Sequence, residues 1–289
     1  MRKTVVALGF FDGVHIAHQK IIQTAVNFAN DDGLSPVALT FDKSPMEVLT
    51  DLPPRYLTDN EKKAELIGKI GAKTEFLPAG TVILSMTPEE FVRDILVGEF
   101  GISSAVCGYN YRFGKDGAGS TETLIELGKK YGFTVFICDK LTASGEDISS
   151  SRIRELLSKG NVALANKLLG RRFSLKGVVT EGKHLGHKLG FPTANVFFPN
   201  NGAVPMRGVY ETRVLYDAKE MPAITNIGIN PTVGGEKLRS ETYIPDYAGN
   251  LYGKDIEIEF VDFIRKETKF ESVEMLKRQI QNDVNSIKK

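Results

Sequence analysis

Gly190-Phe191-Pro192-Thr193-Ala194-Asn195 places a hydroxyl and a carboxamide two residues apart behind a proline, shortly after Gly182 and Gly186. Glycine, lacking a Cβ, admits a ligand close to the backbone. Pro192 fixes φ and holds the Thr193 hydroxyl and the Asn195 amide in place. Short oxygen-bearing side chains on a rigid support suit a hard cation that arrives with nucleotide phosphates. The same six residues also suit a tight turn between two strands, and the motif alone does not separate the two readings.

A second constellation lies near the start of the chain. Gly9-Phe10-Phe11-Asp12-Gly13-Val14-His15-Ile16-Ala17-His18 follows an apolar, β-branched run and leads into a helical pattern. Imidazoles three residues apart share a helix face. A helix N-terminus favours anions. Two donors and that partial charge suit a phosphate, including charge that builds on it in a transition state. His15 and His18 read equally well as polar residues of a first turn, and a zinc pair lacks a third ligand nearby. Ser149-Ser150-Ser151-Arg152-Ile153-Arg154 gathers three hydroxyls and two arginines at another helix start. That is either a phosphate clamp or a cap with solvated arginines. In Cys107-Gly108-Tyr109-Asn110-Tyr111-Arg112-Phe113-Gly114 the aromatics fill a core or stack on a ring, and Asn110 is the polar handle.

The elements that must position these residues differ between the halves. The first half alternates strands, Thr4–Gly9, Pro36–Phe41, Ser104–Cys107 and Thr134–Cys138, with helices. The helices run from about His18 to Asn30, from a capping box at Thr58-Asp59-Asn60-Glu61 to about Ile70, from Thr87-Pro88-Glu89-Glu90 to about Val97, and from Thr121 to Tyr131. Such alternation predicts a parallel sheet with right-handed crossovers, with ligands at the carboxyl ends of its strands. Short helices at Ser150–Lys159 and Val162–Leu169 follow, and a domain boundary is expected near Gly170. The domains are then 1–170 and 171–289. Beyond it come short strands at Phe173–Thr180, Gly208–Tyr216, Ala223–Ile227, Ser240–Ile244 and Ile256–Ile264, the pattern of an antiparallel barrel or sandwich. A last helix is expected at Ser272–Ile287.

Composition narrows the class. Two domains are natural for 289 residues, and 42% hydrophobic with 25% charged residues is an ordinary globular balance. A net charge of +1 without a local basic patch argues against nucleic acid. The apolar start ends at Asp12, too early for a membrane span, and lacks a signal-peptide cleavage site. Cys107 and Cys138 read as buried thiols of a reducing cytosol, too few for a metal site. No macromolecular partner is implied beyond a weak homo-oligomer.

Together these motifs resemble the bacterial bifunctional riboflavin kinase/FMN adenylyltransferase, or FAD synthetase, family over nearly the whole chain. The N-terminal marks are Gly9 to His18, Phe41 to Pro45, Gly108 to Gly114 and Ser149 to Arg154. The C-terminal marks are Gly190 to Asn195, Gly208-Val209-Tyr210, Asn226-Ile227-Gly228, Pro231-Thr232, Glu241, Leu251-Tyr252-Gly253 and Arg265 to Phe270. The resemblance implies an α/β nucleotidyltransferase-like (Rossmann-like) parallel-sheet domain followed by an antiparallel six-stranded β-barrel riboflavin kinase domain with a C-terminal helix. It implies ATP, riboflavin and FMN as substrates, Mg²⁺ as cofactor and a cytoplasmic enzyme. His15 and His18 would stabilise charge on the α-phosphate of ATP as FMN attacks it. Gly9, Phe11 and Asn110 would hold phosphates or flavin, and Ser150, Ser151 and Arg154 the β- and γ-phosphates. Thr193 and Asn195 would ligate Mg²⁺ with the kinase's ATP, beside Gly182 and Gly186. Glu241 would take the proton of the riboflavin 5′-hydroxyl.

Five positions depart from the family pattern. Ala17 stands where glycine is usual, and the usual Phe-x-Pro-His-Pro is Phe41-Asp42-Lys43-Ser44-Pro45. Tyr243 replaces a common histidine, and Pro245 interrupts the strand after Glu241. Three readings follow: the two-step enzyme, a riboflavin kinase with weak or lost adenylyltransferase activity, and a non-catalytic flavin- or nucleotide-binding paralogue.

Overall fold

The computed structural model describes residues 3–50, 54–143, 145–182, 186, 189–198, 201–232 and 235–287, without the side chains of 49, 230–232 and 235–237. The chain divides into two compact units, Met1–Ser150 and Ser151–Lys289.

The first unit is built on five parallel strands: β1 (Thr4–Leu8), β2 (Ser35–Phe41), β3 (Lys73–Leu77), β4 (Ile102–Gly108) and β5 (Thr134–Cys138). Their order is β3-β2-β1-β4-β5, so the chain reverses its direction of travel across the sheet at β1 and β4. Ligands of open parallel sheets sit at such a switch point, beyond the carboxyl ends of the strands. Leu8 lies opposite both Leu39 and Cys107, which brings the ends of β1, β2 and β4 together. β1 is buried on both faces. Val6 and Leu8 join a core with Phe91, Leu96 and Leu124, while Val5 and Ala7 face Phe11, Ile22 and Ile67. The edge strand β3 has no counterpart in the sequence reading. Its Lys-Thr-Glu-Phe-Leu pattern, largely half-exposed, lacks an apolar run.

The helices are α1 (Ile16–Asp31), α2 (Pro45–Thr50), α3 (Asn60–Ile70), α4 (Thr81–Ser85), α5 (Pro88–Glu90) and α6 (Thr121–Tyr131). α5 runs on as a wider π-type turn through Phe91–Glu99. The Thr87 capping box forms in full, with Thr87 Oγ1 accepting from Glu90 N and Glu90 reaching back to Thr87 N. The box expected at Thr58 does not. Asp59 caps α3 by accepting from Lys62 N at 2.7 Å, because Thr58 is turned toward Gly13 instead. A short hairpin of β6 (Thr142–Ala143) and β7 (Glu146–Asp147) precedes the second unit.

That unit opens with α7 (Ser150–Ser158) and α8 (Val162–Leu169). Asn166 of α8 accepts from Phe173 N at 2.7 Å and donates to Phe260 O at 2.8 Å, fastening the helix to the sheet that follows. The sheet is a closed antiparallel barrel of β8 (Phe173–Thr180), β9 (Thr193–Phe197), β10 (Gly208–Tyr216), β11 (Lys219–Thr232), β12 (Gly235–Tyr243) and β13 (Asp255–Arg265), ordered β10-β11-β12-β9-β8-β13. Closure removes the unpaired strand edges. Inside it Thr212, Thr225 and Thr242 form a buried chain of hydroxyl hydrogen bonds at 2.8 and 2.9 Å. The chain ends in α9 (Val273–Ser286), capped by Ser272. β11 and β12 are far longer than the expected Ala223–Ile227 and Ser240–Ile244. Among the described residues no helix is long and apolar enough to cross a membrane.

Candidate active sites

In the first unit, the segment from β1 to α1 turns through a row of left-handed residues: Phe11 (φ +54°), Gly13 (φ +78°) and Val14 (φ +42°). A β-branched valine there is strained, and such conformations persist only where neighbours enforce them. Asp12 does so. Its Oδ1 accepts from Leu57 N at 2.9 Å and Thr58 N at 3.3 Å, and Thr58 Oγ1 accepts from Gly13 N at 3.1 Å. Ser150 Oγ closes the loop by donating to Asp12 O at 2.9 Å.

The loop delivers His15 as the N-cap of α1. His15 Nδ1 accepts from His18 N at 3.3 Å, which leaves the proton of the neutral ring on Nε2. The two imidazoles stack with centroids 3.5 Å apart. Phe11 meets His18 edge-on at 5.4 Å. Burial, then the charges of His15 and Lys63, hold His18 well below the usual imidazole range. His18 Nδ1 is buried and has no hydrogen-bond partner among the described residues.

Phe11 itself requires a correction. Its ring is fully buried in the core, so its side chain offers no surface to flavin or nucleotide; it shapes the site by packing on His18. Gly9 is needed for this, since a Cβ there would stand 2.7 Å from the Phe11 ring. Asn110 lies exposed just past β4, and Ala17 is half-buried. Ser44 is buried and wired into its surroundings: its N donates to Tyr56 Oη at 2.9 Å and its Oγ accepts from Met46 N at 3.3 Å. Lys43 is exposed. Ser151 and Arg154 fall in the second unit, where Arg154 Nη2 donates to Ser151 Oγ at 3.2 Å.

Sequence reasoning missed Lys63. It is 1% exposed, with Nζ 4.2 Å from the centre of the Phe10 ring. Burial pushes its ammonium down to about 8 against the opposing pull of Asp12 and Asp42. The available signal was its spacing: Lys63, Ile67 and Ile70 recur as the apolar stripe of α3.

The second site lies wholly in the second unit, as a cavity of about 650 Å³. Thr193 and Asn195 are alternate residues of β9 and so leave the same face of the strand. This strand is absent from the five expected; the second half of the motif, from Thr193, belongs to it. In the register with β12, Asn195 lies opposite Glu241, and Thr193 opposite Tyr243. All four line the cavity with Gly182 and Gly186. Both glycines are required by close approach. A Cβ on Gly182 would lie 2.5 Å from Asn195 Nδ2, and one on Gly186 2.4 Å from Phe191 O. Tyr243 packs edge-on against Phe191 at 5.3 Å. Glu241 is ion-paired with Arg239. Asn226 Oδ1 is buried without a partner among the described residues, while its Nδ2 reaches Glu267 at 3.4 Å. Across the cavity Arg265 donates to Asp283 of α9 at 2.7 Å.

The donors suit a hard divalent cation: a hydroxyl, a carboxamide and a carboxylate, without a sulfur or imidazole. No cluster of three or more His, Cys, Asp or Glu able to hold a metal occurs among the described residues. A cation that keeps waters and is held largely by nucleotide phosphates needs no such cage.

A family model described as FAD synthetase matches residues 1–152, and one described as riboflavin kinase matches residues 169–289. The chain is 37% identical to the "Bifunctional riboflavin kinase/FMN adenylyltransferase" of Listeria monocytogenes over 96% of its length and 90% of the relative's. It is 33% identical to the protein of the same name from Escherichia coli, over 96% and 90%. A crystal structure from Streptococcus pneumoniae titled "Macrolide-efflux Protein" superposes with a TM-score of 0.91 at 31% identity, covering 98% of this chain and 93% of that one.

Proposed function

The chain belongs to the bifunctional riboflavin kinase/FMN adenylyltransferase family, and we propose that the residues before about Gly170 carry out the adenylyl step and those after it the kinase step. It is a transferase of flavin cofactor biosynthesis: riboflavin is phosphorylated to FMN, and FMN is adenylylated to FAD, each with ATP. The kinase assignment rests on one observation, the register that sets Asn195 opposite Glu241 on the wall of the cavity, with Thr193 on the same face.

In the kinase step the lone pair of the riboflavin 5′-oxygen forms the new bond to the γ-phosphorus. The bond to the β-phosphate oxygen breaks with its electrons left on ADP, and Glu241 receives the hydroxyl proton. Thr193 and Asn195 would hold Mg²⁺ together with the phosphates, and the ion would supply charge neutralisation for the transfer. Most of the work is positioning and electrostatics. The backbone at Gly182 and Gly186 supplies room for the nucleotide.

In the adenylyl step a phosphate oxygen of FMN attacks the α-phosphorus of a second ATP and pyrophosphate leaves. His15 presents Nε2–H, and His18, stacked on it, has a buried ring nitrogen awaiting a partner; both face charge developing on the α-phosphate. Asn110 and Ser150 take the remaining phosphates or the flavin. The reading places the protein in the cytoplasm, where Cys107 and Cys138 persist as thiols.

A riboflavin kinase with weak or lost adenylyltransferase activity is the second reading, favoured by Ala17 and by the Ser44–Tyr56 contact where the family has a histidine. Incubation with riboflavin and Mg-ATP, followed by chromatographic separation of the flavins, tests both. FMN followed by FAD is expected. FMN alone selects the second reading, and unchanged riboflavin refutes both.

A further inference from the structure

Arg239 and Glu241 stand two residues apart on β12, so their side chains leave the same face of the strand and both line the kinase cavity. The Arg239 guanidinium bonds Glu241 Oε1 through Nη2. Its side chain is 12% exposed against 36% for Glu241, so the cation is the more withdrawn of the two. While Oε1 accepts from Arg239, that oxygen is not free for a substrate hydroxyl. The resting arrangement therefore commits one of the two oxygens of the group assigned as proton acceptor.

The same geometry supplies the release. A guanidinium has five N–H donors in a fork that matches phosphate oxygens. Glu241 must reach the 5′-hydroxyl through one hydrogen bond, and that oxygen must approach the γ-phosphorus to about 3–3.5 Å before transfer. A group bonded to Glu241 is thus one neighbour away from the phosphoryl being moved. Asn195, assigned to the nucleotide's metal, lies opposite Glu241 in the β9–β12 register.

We propose that Arg239 is a further catalytic residue of the kinase step, exchanging Glu241 for the γ-phosphate of ATP. Nucleotide binding draws the guanidinium onto the phosphate, which neutralises charge in the transition state and uncovers Glu241. Arg239 contributes no atom to the reaction. Glu241 takes the hydroxyl proton, the 5′-oxygen takes the phosphoryl group and ADP takes the electrons of the broken bond. The inference rests on the assignment of Glu241 as the base.

The test uses the full-length chain and the variants R239A, R239K and E241Q. FMN formation is the readout, and riboflavin binding in the same preparation checks that the barrel is folded. R239A is expected to lower kcat on the order of 10²–10³-fold, as does removal of a single transition-state donor. Riboflavin affinity, read by flavin fluorescence, is expected to be unchanged, and R239K to recover part of kcat. In E241Q the guanidinium is released in advance. That variant is expected to bind a β,γ-imido ATP analogue several-fold more tightly than the wild type does, with ADP affinity unaltered. An R239A enzyme as fast as wild type, or faster, overturns the proposal, since Arg239 would then only mask the base. Equal effects of E241Q on the analogue and on ADP overturn it too. If R239A proves unfolded, R239K and E241Q decide the matter. Wild-type kcat in E241Q defeats the assignment of the base, and the nucleotide affinities still decide whether Arg239 reaches the γ-phosphate.

Discussion

His18 shares a buried corner with two other basic groups, His15 and Lys63, and this fixes both its role and its pH behaviour. Loss of the ring in His18→Ala is expected to abolish FAD formation and leave FMN formation nearly intact, with both flavins followed in one assay. Equal loss of both products in a folded variant would contradict separate sites. Lys63 gives a second test at this scale. Its ammonium titrates at about 8 in the folded chain against 10.5 for a free lysine, because burial disfavours the charge. Below pH 8 both folded and unfolded chains hold the proton, and folding carries the full burden of burying it. Between pH 8 and 10.5 the folded chain sheds its proton first, so stability rises by roughly 3 kcal/mol across that window. Thermal melts from pH 7 to 11 should show the rise, and Lys63→Met should remove it. A variant with the slope of the wild type would contradict the burial argument. His18 acts at the other end. Its pKa is lowered, so its contribution is complete above about pH 6.5 and is lost as pH falls toward the folded value.

Two elements owe their ends to particular side chains, and their failure modes differ. Asp59 caps α3, whereas Thr58 serves the strained loop before α1. Asp59→Ala is expected to lower stability by about 1 kcal/mol without altering either product ratio, as cap removal typically does. Thr58→Ala removes the hydroxyl that accepts from Gly13 N and is expected to slow FAD formation selectively. If the two variants behave alike, the loop is not held as described. On the barrel, Gly182→Ala would push a Cβ to 2.5 Å from Asn195 Nδ2. The asparagine must shift, and misplacement of about 1 Å in such a site lowers rates on the order of 10²-fold. FMN formation should fall by that much and FAD formation from supplied FMN should persist. An unaffected kinase would mean that Asn195 is not where the reaction needs it.

At the scale of the molecule, a loop site before α1 and a barrel cavity that share no residue imply two reactions whose rates are set independently. Ala17 adds a methyl group between the histidines, and Ser44 is tied to Tyr56 in place of a loop histidine. Misplacing the phosphate weakens transition-state contacts more than ground-state binding. FMN is therefore expected to accumulate before FAD in a time course with riboflavin and Mg-ATP. Ala17→Gly together with Lys43→Pro and Ser44→His is expected to raise FAD formation without changing the kinase, about tenfold for each 1.4 kcal/mol regained. A wild-type enzyme that makes FAD as fast as FMN would show these positions to be neutral.

The sequence by itself determined the local features. The Thr87 box, the helix Thr121–Tyr131, the strands Phe173–Thr180 and Gly208–Tyr216 and the list of motif residues follow from patterns within a few positions, where propensity and hydrogen bonding act. It also carried the family, because many weak motifs in one order are specific together. What it did not contain was partnership across distance. β3 is held by its neighbour β2 and not by an apolar run of its own. β9 exists because β12 and β8 pair with it, and only that pairing shows Asn195 to face Glu241. Thr58 could serve as a cap or a brace, and the fold chose the brace by bringing Gly13 within 3.1 Å. Lys63 reads as one more solvated lysine until Phe10, Asp12 and His18 close around it. In each case the deciding energy, burial or a long-range hydrogen bond, comes from residues far away in the chain, and only the tertiary structure brings them together.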